Sequence, residues 1–531
     1  MAAAAAHYAA RRLDEAERCC EEVLARQPDH FDALHLLGVI RTESGNPVNA
    51  YGPLLRATEL APENARAHYH LGNAYLALDR FADAENSYRR ALARDPELLE
   101  ARNNLGNALR RQGRETAALD SYRAVLARRP GFAPALYNMG LALAALGEFA
   151  AAIDCYRTVL AHPPGPGEAA RFADVREALA AALVETGRHD LAVDTCRAWQ
   201  ALAPGAWRAE WNAALSLLAL GRYAEAWPLY ERRWELPEAR AGRVSDAPPV
   251  VPAWADLAGK RVLLRGEQGR GDVIQFARYA PLLARHAAAV TLVVYPELTA
   301  LLGRMPGVAG AIHAVEPEPE HDLTVSLASL PLVFGTTLET IPATVPYLTP
   351  KPEAVARWRA RFDALPTAHP TGLPTVLPTG PHVGLCWWGS PHSRKSSILL
   401  PLLEPLLRLP GAHFHAVQQD MDPTHRTWLA THTRAIDHSE ALTDFDATAA
   451  LIAALDLVIT IDTSVAHLAG ALGRPTWVML RYSCDWRWLR HQTSSPWYPT
   501  ARLFRQGTDR QWEPVIAAVI AALAGIARPM E

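Results

Sequence analysis

Proline returns every 34 residues along the first third of this chain, at Pro28, Pro62, Pro96, Pro130 and Pro164. Glycine keeps the same interval at Gly38, Gly72, Gly106 and Gly140, and alanine does so at Ala50, Ala84, Ala118 and Ala152. Large residues precede the glycines (Leu37, Leu71, Leu105, Met139), and aromatics recur at Tyr88, Tyr122 and Tyr156. A unit of this length is one helix–turn–helix, which cannot bury its apolar face alone, so neighbouring units must stack into a solenoid. The small residues mark where paired helices touch. Proline closes each second helix because it cannot extend the hydrogen-bond ladder.

This is the tetratricopeptide pattern. The first unit is truncated, its second helix running from about Asp14 to Arg26. The period slips at Gly165-Pro166-Gly167, Pro204 closes the next unit, and the last runs through Trp211, Ala226 and Tyr230 to Pro237. About seven units are expected over 1–240, wound into a right-handed superhelix with a concave groove. Asn73, Asn103, Asn104, Asn107 and Asn138 line one helix face. They have two readings: partners for the backbone of an extended peptide acceptor, or solvated surface residues. A polar, proline-rich linker is expected over 241–258.

At 531 residues the chain is too long for one core, and three or so domains are expected. Basic and acidic residues number 53 and 56, which gives no sign of a nucleic-acid surface. No run of 18 apolar residues suggests a membrane span. The opening MAAAAAHYAARR lacks a basic start and is expected to be helical rather than a signal peptide. Six scattered cysteines without a CxxC pair suit reduced thiols in a cytoplasmic protein and make a zinc site unexpected.

The second half reads as α/β. Arg261 to Leu264 is a short strand, followed by a glycine-rich turn, Gly266 to Asp272, and a helix over Val273 to His286. That turn lets a backbone approach a ligand closely, but its spacing is not GxGxxG, so a dinucleotide is a poor fit. Further strands are expected at Val290 to Val294 and Asp322 to Val325, in a lobe spanning 259–365. Five prolines between Pro366 and Pro381 make a stiff connection, 366–381, to a last lobe at 382–531.

The last lobe opens with a strand, His382 to Trp387, and a basic, hydroxyl-rich loop, Gly389 to Ser397. The loop suits a diphosphate or is a mixed polar surface loop. A strand over His413 to Gln418 ends where a nucleotide's ribose or base would lie. Then Val458 to Leu480 runs strand, turn, helix, strand, the form of a βαβ crossover. Its turn sets Asp462, Thr463 and Ser464 at a helix N-terminus, one turn before His467. Unpaired amides and the dipole there attract phosphate, and an ordinary N-cap is the alternative. A terminal helix is expected over Trp512 to Ile526.

Two motifs carry a resemblance. DTSVAHLAGALGRP (462–475) and EQGRGDVIQFARY (267–279) resemble segments of GT-B glycosyltransferases of the heptosyltransferase class, glycosyltransferase family nine. The likeness is closer to bacterial tetratricopeptide-repeat proteins carrying such a domain at their C-terminus, and more distant to O-GlcNAc-transferase-like architecture. WPLYERRWEL (227–236), DWRWL (485–489), SPWYP (495–499) and LFRQ (503–506) match other segments of that family. The resemblance implies an α-solenoid followed by two Rossmann-like lobes (GT-B), α + α/β in class. It also implies a metal-independent transferase acting on an ADP- or UDP-linked sugar, without a further cofactor.

On that resemblance Asp272 is the general base, and Gln268 and Gly269 lie on the acceptor side. Gly389, Ser390, Arg394, Lys395, Ser397, Gln418, Asp462, Thr463, Ser464 and His467 hold the donor. In the repeats, Asn73, Asn104, Asn107 and Asn138 would hold a protein acceptor, such as a surface or flagellar protein modified on Ser or Thr. The family commonly has Arg directly before the Ser-Ile pair of the basic loop. Here Ser396 precedes Ser397-Ile398, which leaves Arg394 and Lys395 as phosphate partners. Asp420-Met421-Asp422 and Asp444-Phe445-Asp446 fit the short DxD metal motif, in contexts that do not favour a metal. No GxSxG or helical HExxH supports a hydrolase. The rival is an interaction scaffold whose α/β part has lost catalysis, and calorimetry with ADP- and UDP-sugars separates the two.

Overall fold

From Ala2 to Tyr230 the chain forms fourteen α-helices among the described residues; those up to Ala169–Glu185 each pack on their sequence neighbour, and Trp207–Ala219 packs on Tyr223–Tyr230. The computed structural model describes residues 1–161, 169–237, 239, 251–364, 380–389, 396–419, 421–433 and 435–526. The glycine and tyrosine ladders turn out to be one contact repeated. A Cβ on Gly72 would lie 2.6 Å from the ring of Tyr88, and those on Gly106 and Gly140 would lie closer still to Tyr122 and Tyr156. Each hairpin thus sets a fully buried ring on bare backbone. The residues before the prolines, Gln27, Ala61, Asp95 and Arg129, have φ of −138°, −133°, −133° and −136°. They are extended because a following proline disfavours the α region. The opening residues are helical, Ala2–Ala9, as expected. Pro164 and its glycines lie outside the described residues.

The chain divides into two units, Met1–Thr186 with Ala201–Ala203, and Gly187–Gln200 with Pro204–Glu531. The helices Trp207–Ala219 and Tyr223–Tyr230 therefore belong to the second unit, earlier than the repeat pattern's limit at 240. Aromatic packing explains this. The Trp227 indole N–H donates to the Thr336 carbonyl at 2.9 Å, and Tyr223, Trp227 and Tyr230 pack against Trp486.

The second unit holds two parallel sheets. The first contains β1 (Arg261–Arg265), β2 (Ala289–Val294), β3 (Gly310–His313) and β4 (Leu323–Ser326) in the order β3-β2-β1-β4. The second contains β5 (His382–Cys386), β6 (His413–Ala416), β7 (Ile436–Asp437), β8 (Leu457–Ile461), β9 (Thr476–Leu480) and β10 (Ala501–Arg505), in the order β10-β9-β8-β5-β6-β7. β8 and β9 are buried along their whole length, as their unbroken apolar runs require in a parallel sheet.

Two elements differ from expectation. The helix expected over 273–286 is two helices, Arg270–Ala277 and Ala280–Leu283, broken before Pro281. The helix Pro352–Asp363, at the end of the expected first lobe, packs on the second sheet: Phe362 lies 4.5 Å from the His382 ring and 4.4 Å from that of His415. Most of the proline-rich connection, 366–379, lies outside the described residues, as do 241–250 of the earlier linker.

Candidate functional site

In an open parallel sheet the ligand crevice lies beyond the carboxyl ends of the strands, where the strand order reverses. In the second sheet that point falls between β5 and β8. Past β5, the Trp388 N–H donates to Gln418 Oε1 at 3.2 Å, and the Gly389 N–H donates to Ser397 Oγ at 3.0 Å. The Cys386 Sγ lies 3.5 Å from Gln418 Oε1 and 3.8 Å from Thr463 Oγ1. Past β8, Asp462, Thr463 and Ser464 are half-buried and lead into the helix Ser464–Ala471. Thr463 sits at the N-cap, yet its hydroxyl makes no capping bond and lies 3.3 Å from Thr460 Oγ1 instead. The helix therefore opens without a side-chain cap, and although the Ala466 N–H is taken by the Thr463 carbonyl at 3.0 Å, the Ser464 and Val465 amides are left for another acceptor. Gly389, Ser397, Gln418, Asp462, Thr463 and Ser464 all lie at these strand ends. Ser390, Arg394 and Lys395 lie outside the described residues.

The first sheet reverses between β1 and β4, and that crevice is filled. Arg233, 1% exposed, donates to Glu267 and Glu231 at 2.6 Å each, to Ser329 at 2.6 Å and to Ser326 at 3.1 Å. The turn after β1 continues outward. Gln268 is exposed with a φ of 63°, its Oε1 accepting from the Tyr230 hydroxyl at 3.0 Å and its carbonyl from the Tyr295 hydroxyl. A non-glycine residue in that left-handed region is strained, and such strain collects at functional turns. The Gly269 N–H donates to Asp272 Oδ2 at 2.8 Å. A Cβ on Gly271 would lie 2.8 Å from His467 Cδ2 and 3.5 Å from Ser464 Cα. The turn bearing Asp272 and the helix start at Ser464 thus abut, and glycine is what lets them.

Asp485, Arg487 and Trp488 are the members of this site that sequence reasoning did not assign. The signal was there in DWRWL, two tryptophans flanking an arginine two residues after an aspartate. Arg487 donates to Asp272 Oδ1, to Asp485 Oδ1 at 2.9 Å and to Gln275 Oε1. Burial pushes the Asp272 carboxyl up from its usual value, and the Arg487 guanidinium pulls it back part of the way. Asp462 is raised to about 7, by burial first and by the charge of Asp485 second. The Trp488 indole N–H favours its charged form without a well-formed hydrogen bond. His467 is 5% exposed, bonded through Nδ1 to the Tyr498 hydroxyl at 2.9 Å and stacked on Trp488 at 5.5 Å. Burial, with Arg487 and Arg278 nearby, holds its pKa well below the usual value, so the imidazole is neutral.

The asparagines lie in the first unit and bond largely to one another. Asn73 Oδ1 accepts from the Tyr88 hydroxyl at 2.8 Å and from Asn104 at 2.9 Å. Asn103 donates to Asn104 at 3.0 Å and accepts from Asn138 at 3.2 Å, and Asn107 Oδ1 accepts from the Tyr122 hydroxyl at 2.8 Å. Much of their capacity thus ties neighbouring repeats together. Of the DxD aspartates, Asp422 and Asp444 cap helices and Asp446 pairs with Arg304. Among the described residues no group of three His, Cys, Asp or Glu side chains is placed to hold a metal. No described helix is long and apolar enough to cross a membrane.

Comparison with known proteins finds matches to the repeats and to one stretch of the second half. A tetratricopeptide repeat model matches residues 69–132 and 137–206. A model of anaphase-promoting complex, cyclosome, subunit 3 matches 9–91. Residues 439–497 match glycosyltransferase family 9 (heptosyltransferase), a span that takes in the helix start and DWRWL. Protein FlbA of Caulobacter vibrioides (strain ATCC 19089 / CIP 103742 / CB 15) is 29% identical over 345 residues, which is 59% of this chain and 54% of FlbA. The chain thus spans about half the length of that curated relative. Among solved structures, MamA is 26% identical over 30% of this chain and 92% of its own, with a TM-score of 0.28. YrrB, described as a TPR protein with an unusual peptide-binding site, is 17% identical over 36% of this chain and 95% of its own, with a TM-score of 0.29.

Proposed function

We propose that this chain is a glycosyltransferase that moves a sugar from a nucleotide-sugar donor to an acceptor hydroxyl, on a protein held by its repeats. The observation that carries this reading is the meeting of the uncapped helix start at Thr463-Ser464 with Gly271-Asp272 at strand carboxyl ends. The match to glycosyltransferase family 9 over 439–497 supports it from outside the geometry. As the acceptor oxygen attacks the anomeric carbon, Asp272 takes its proton. The bond from that carbon to the diphosphate oxygen breaks, and the diphosphate leaves with the electron pair. The Ser464 and Val465 amides and the positive end of the Ser464–Ala471 helix stabilise the charge that develops there, with Arg394 and Lys395 as further phosphate partners. Gln418, Gly389 and Ser397 bound the nucleotide side, Gln268 and Gly269 the acceptor side, and no metal is required by this scheme. The neutral His467 supplies shape rather than charge to the donor site.

The test is mass spectrometry of candidate acceptor proteins co-expressed with wild type, with Asp272→Asn and with Thr463→Ala/Ser464→Ala. Modification in wild type and its loss in both variants is expected. Unchanged modification in both removes the assigned roles. A second reading, an interaction scaffold that binds nucleotide without turnover, is favoured by one observation: both oxygens of Asp272 are already engaged, by Gly269 and Arg487. Calorimetry with UDP- and ADP-sugars separates the two, since binding without transfer or hydrolysis favours the scaffold.

A further inference from the structure

We infer that Arg487 is the positioning residue for Asp272, a guanidinium on one lobe that fixes the angle of a carboxylate on the other. This rests on the reading of Asp272 as the general base. Three nitrogens of Arg487 are committed in one rigid fork: Nη2 to Asp272, Nη1 to Asp485 and Nε to Gln275. Its side chain is 8% exposed and lies 4.3 Å over the Trp486 ring, so it has no room to swing aside. Asp272 is anchored from its own lobe through Oδ2 and Gly269, and from the opposite lobe through Oδ1 and Arg487. A carboxylate offers about four lone-pair sites, so two bonds fix its plane and still leave capacity for an acceptor hydroxyl. The base is thus aimed only while the segment 485–489 is seated against the turn after β1. Lysine cannot substitute, because a point charge lacks the fork that meets three partners at once.

The charges around Asp272 sharpen the assignment. Facing it are Arg487 and Asp485 from the 485–489 segment, Asp462 after β8, Tyr230 from the last repeat helix, Tyr295 after β2, and the neutral His467 beside Gly271. Among the described residues Arg487 is the cation bonded to Asp272, while Arg270 lies over the Tyr295 ring and Arg278 acts on His467 further out. Without it, Asp272 loses the guanidinium bonded to it while Asp485 and Asp462 remain close, and it holds its proton to higher pH.

The test uses the full chain as wild type, Arg487→Gln and Arg487→Lys. Carbon-13 NMR of aspartate-labelled protein follows the Asp272 carboxyl, identified by its loss in Asp272→Asn. Its titration midpoint is expected to rise by about 1–3 pH units in Arg487→Gln, and by less in Arg487→Lys. Turnover of UDP- or ADP-sugars is expected to show the same displacement of its acidic limb and, because the base is no longer aimed, a lower plateau at alkaline pH. An unmoved midpoint, or a wild-type rate on that alkaline plateau, overturns the inference. If Arg487→Gln does not fold, Arg487→Lys carries the measurement. A displaced midpoint in a chain that turns over no donor sinks the transferase reading but leaves the Arg487–Asp272 coupling in place.

Discussion

At Gly106 a single hydrogen atom decides whether two helices can touch. Alanine there would gain about 1 kcal/mol of helix propensity, but its methyl would enter the Tyr122 ring, which is 0% exposed and bonded to Asn107. Overpacking of this kind costs about 1–3 kcal/mol and wins where the ring cannot retreat. Gly106→Ala is expected to lower the urea midpoint, and to lower it much less in a Tyr122→Ala background. Equal effects in the two backgrounds would mean the ring is not the obstacle. This contact was legible in the sequence only as two ladders in register, because spacing shows that positions correspond, not which ring covers which backbone. Asp462 shows the opposite limit. Its place on a strand end was readable, but its pKa of about 7 comes from burial first and from Asp485 second, a residue 23 positions along the chain. An acid raised above its unfolded value of about 3.9 favours the fold below that value, and the benefit is lost as pH climbs toward 7. Asp462→Asn is therefore expected to raise the melting temperature at pH 8 and to lose that advantage by pH 4. A constant difference across that range would remove the carboxyl as its source.

Among the elements, β8 and β9 could be read directly, because a strand buried on both faces must be apolar throughout. The helix Pro352–Asp363 could not be assigned to a sheet, since its amphipathic pattern does not name the surface that covers it. What covers it is a line of imidazoles. His382 Nδ1 lies 2.9 Å from His415 Nε2, and His415 Nδ1 lies 2.9 Å from His438 Nε2. Phe362 lies on the first two rings and Trp358 lies 4.9 Å from the third. Burial holds His415 at about 2 and His438 at about 4, with neighbouring histidines and Arg361 acting in the same direction. These histidines are neutral in the fold and titrate near 6.5 once unfolded. Between about pH 6.5 and 4 the unfolded chain binds more protons, so stability falls as the solution is acidified through that window. Wild type is expected to lose more stability between pH 7.5 and 5 than His438→Gln, read from urea melts followed by tryptophan fluorescence. Equal losses would remove the imidazole line as the acid-sensitive element. Phe362→Ala, which empties a 6%-exposed site, is expected to cost about 3–5 kcal/mol at either pH.

For the whole molecule, the 34-residue period gives the solenoid but not the place where the chain divides, because the division is set by contacts the period does not encode. Trp227 and Tyr230 continue the repeat helices in sequence, yet Trp227 bonds to Thr336, Tyr230 bonds to Gln268, and Arg233 fills the crevice of the first sheet. A fragment of residues 187–531 keeps these groups and is expected to fold by itself. A fragment of 241–531, cut where the repeats formally end, removes the buried rings of Tyr223, Trp227 and Tyr230 and leaves Glu267 without its guanidinium. Losing each large ring costs about 3–5 kcal/mol, and stranding one partner of a buried ion pair costs a similar amount. Their sum reaches the whole stability of a typical domain, about 5–15 kcal/mol. The shorter fragment is therefore expected to be insoluble or to lack a cooperative melt, while the longer one melts as a unit and keeps its near-ultraviolet tryptophan signal. A 241–531 fragment with that same signal and melt would show that the last repeat helices cover the sheets without being part of their core.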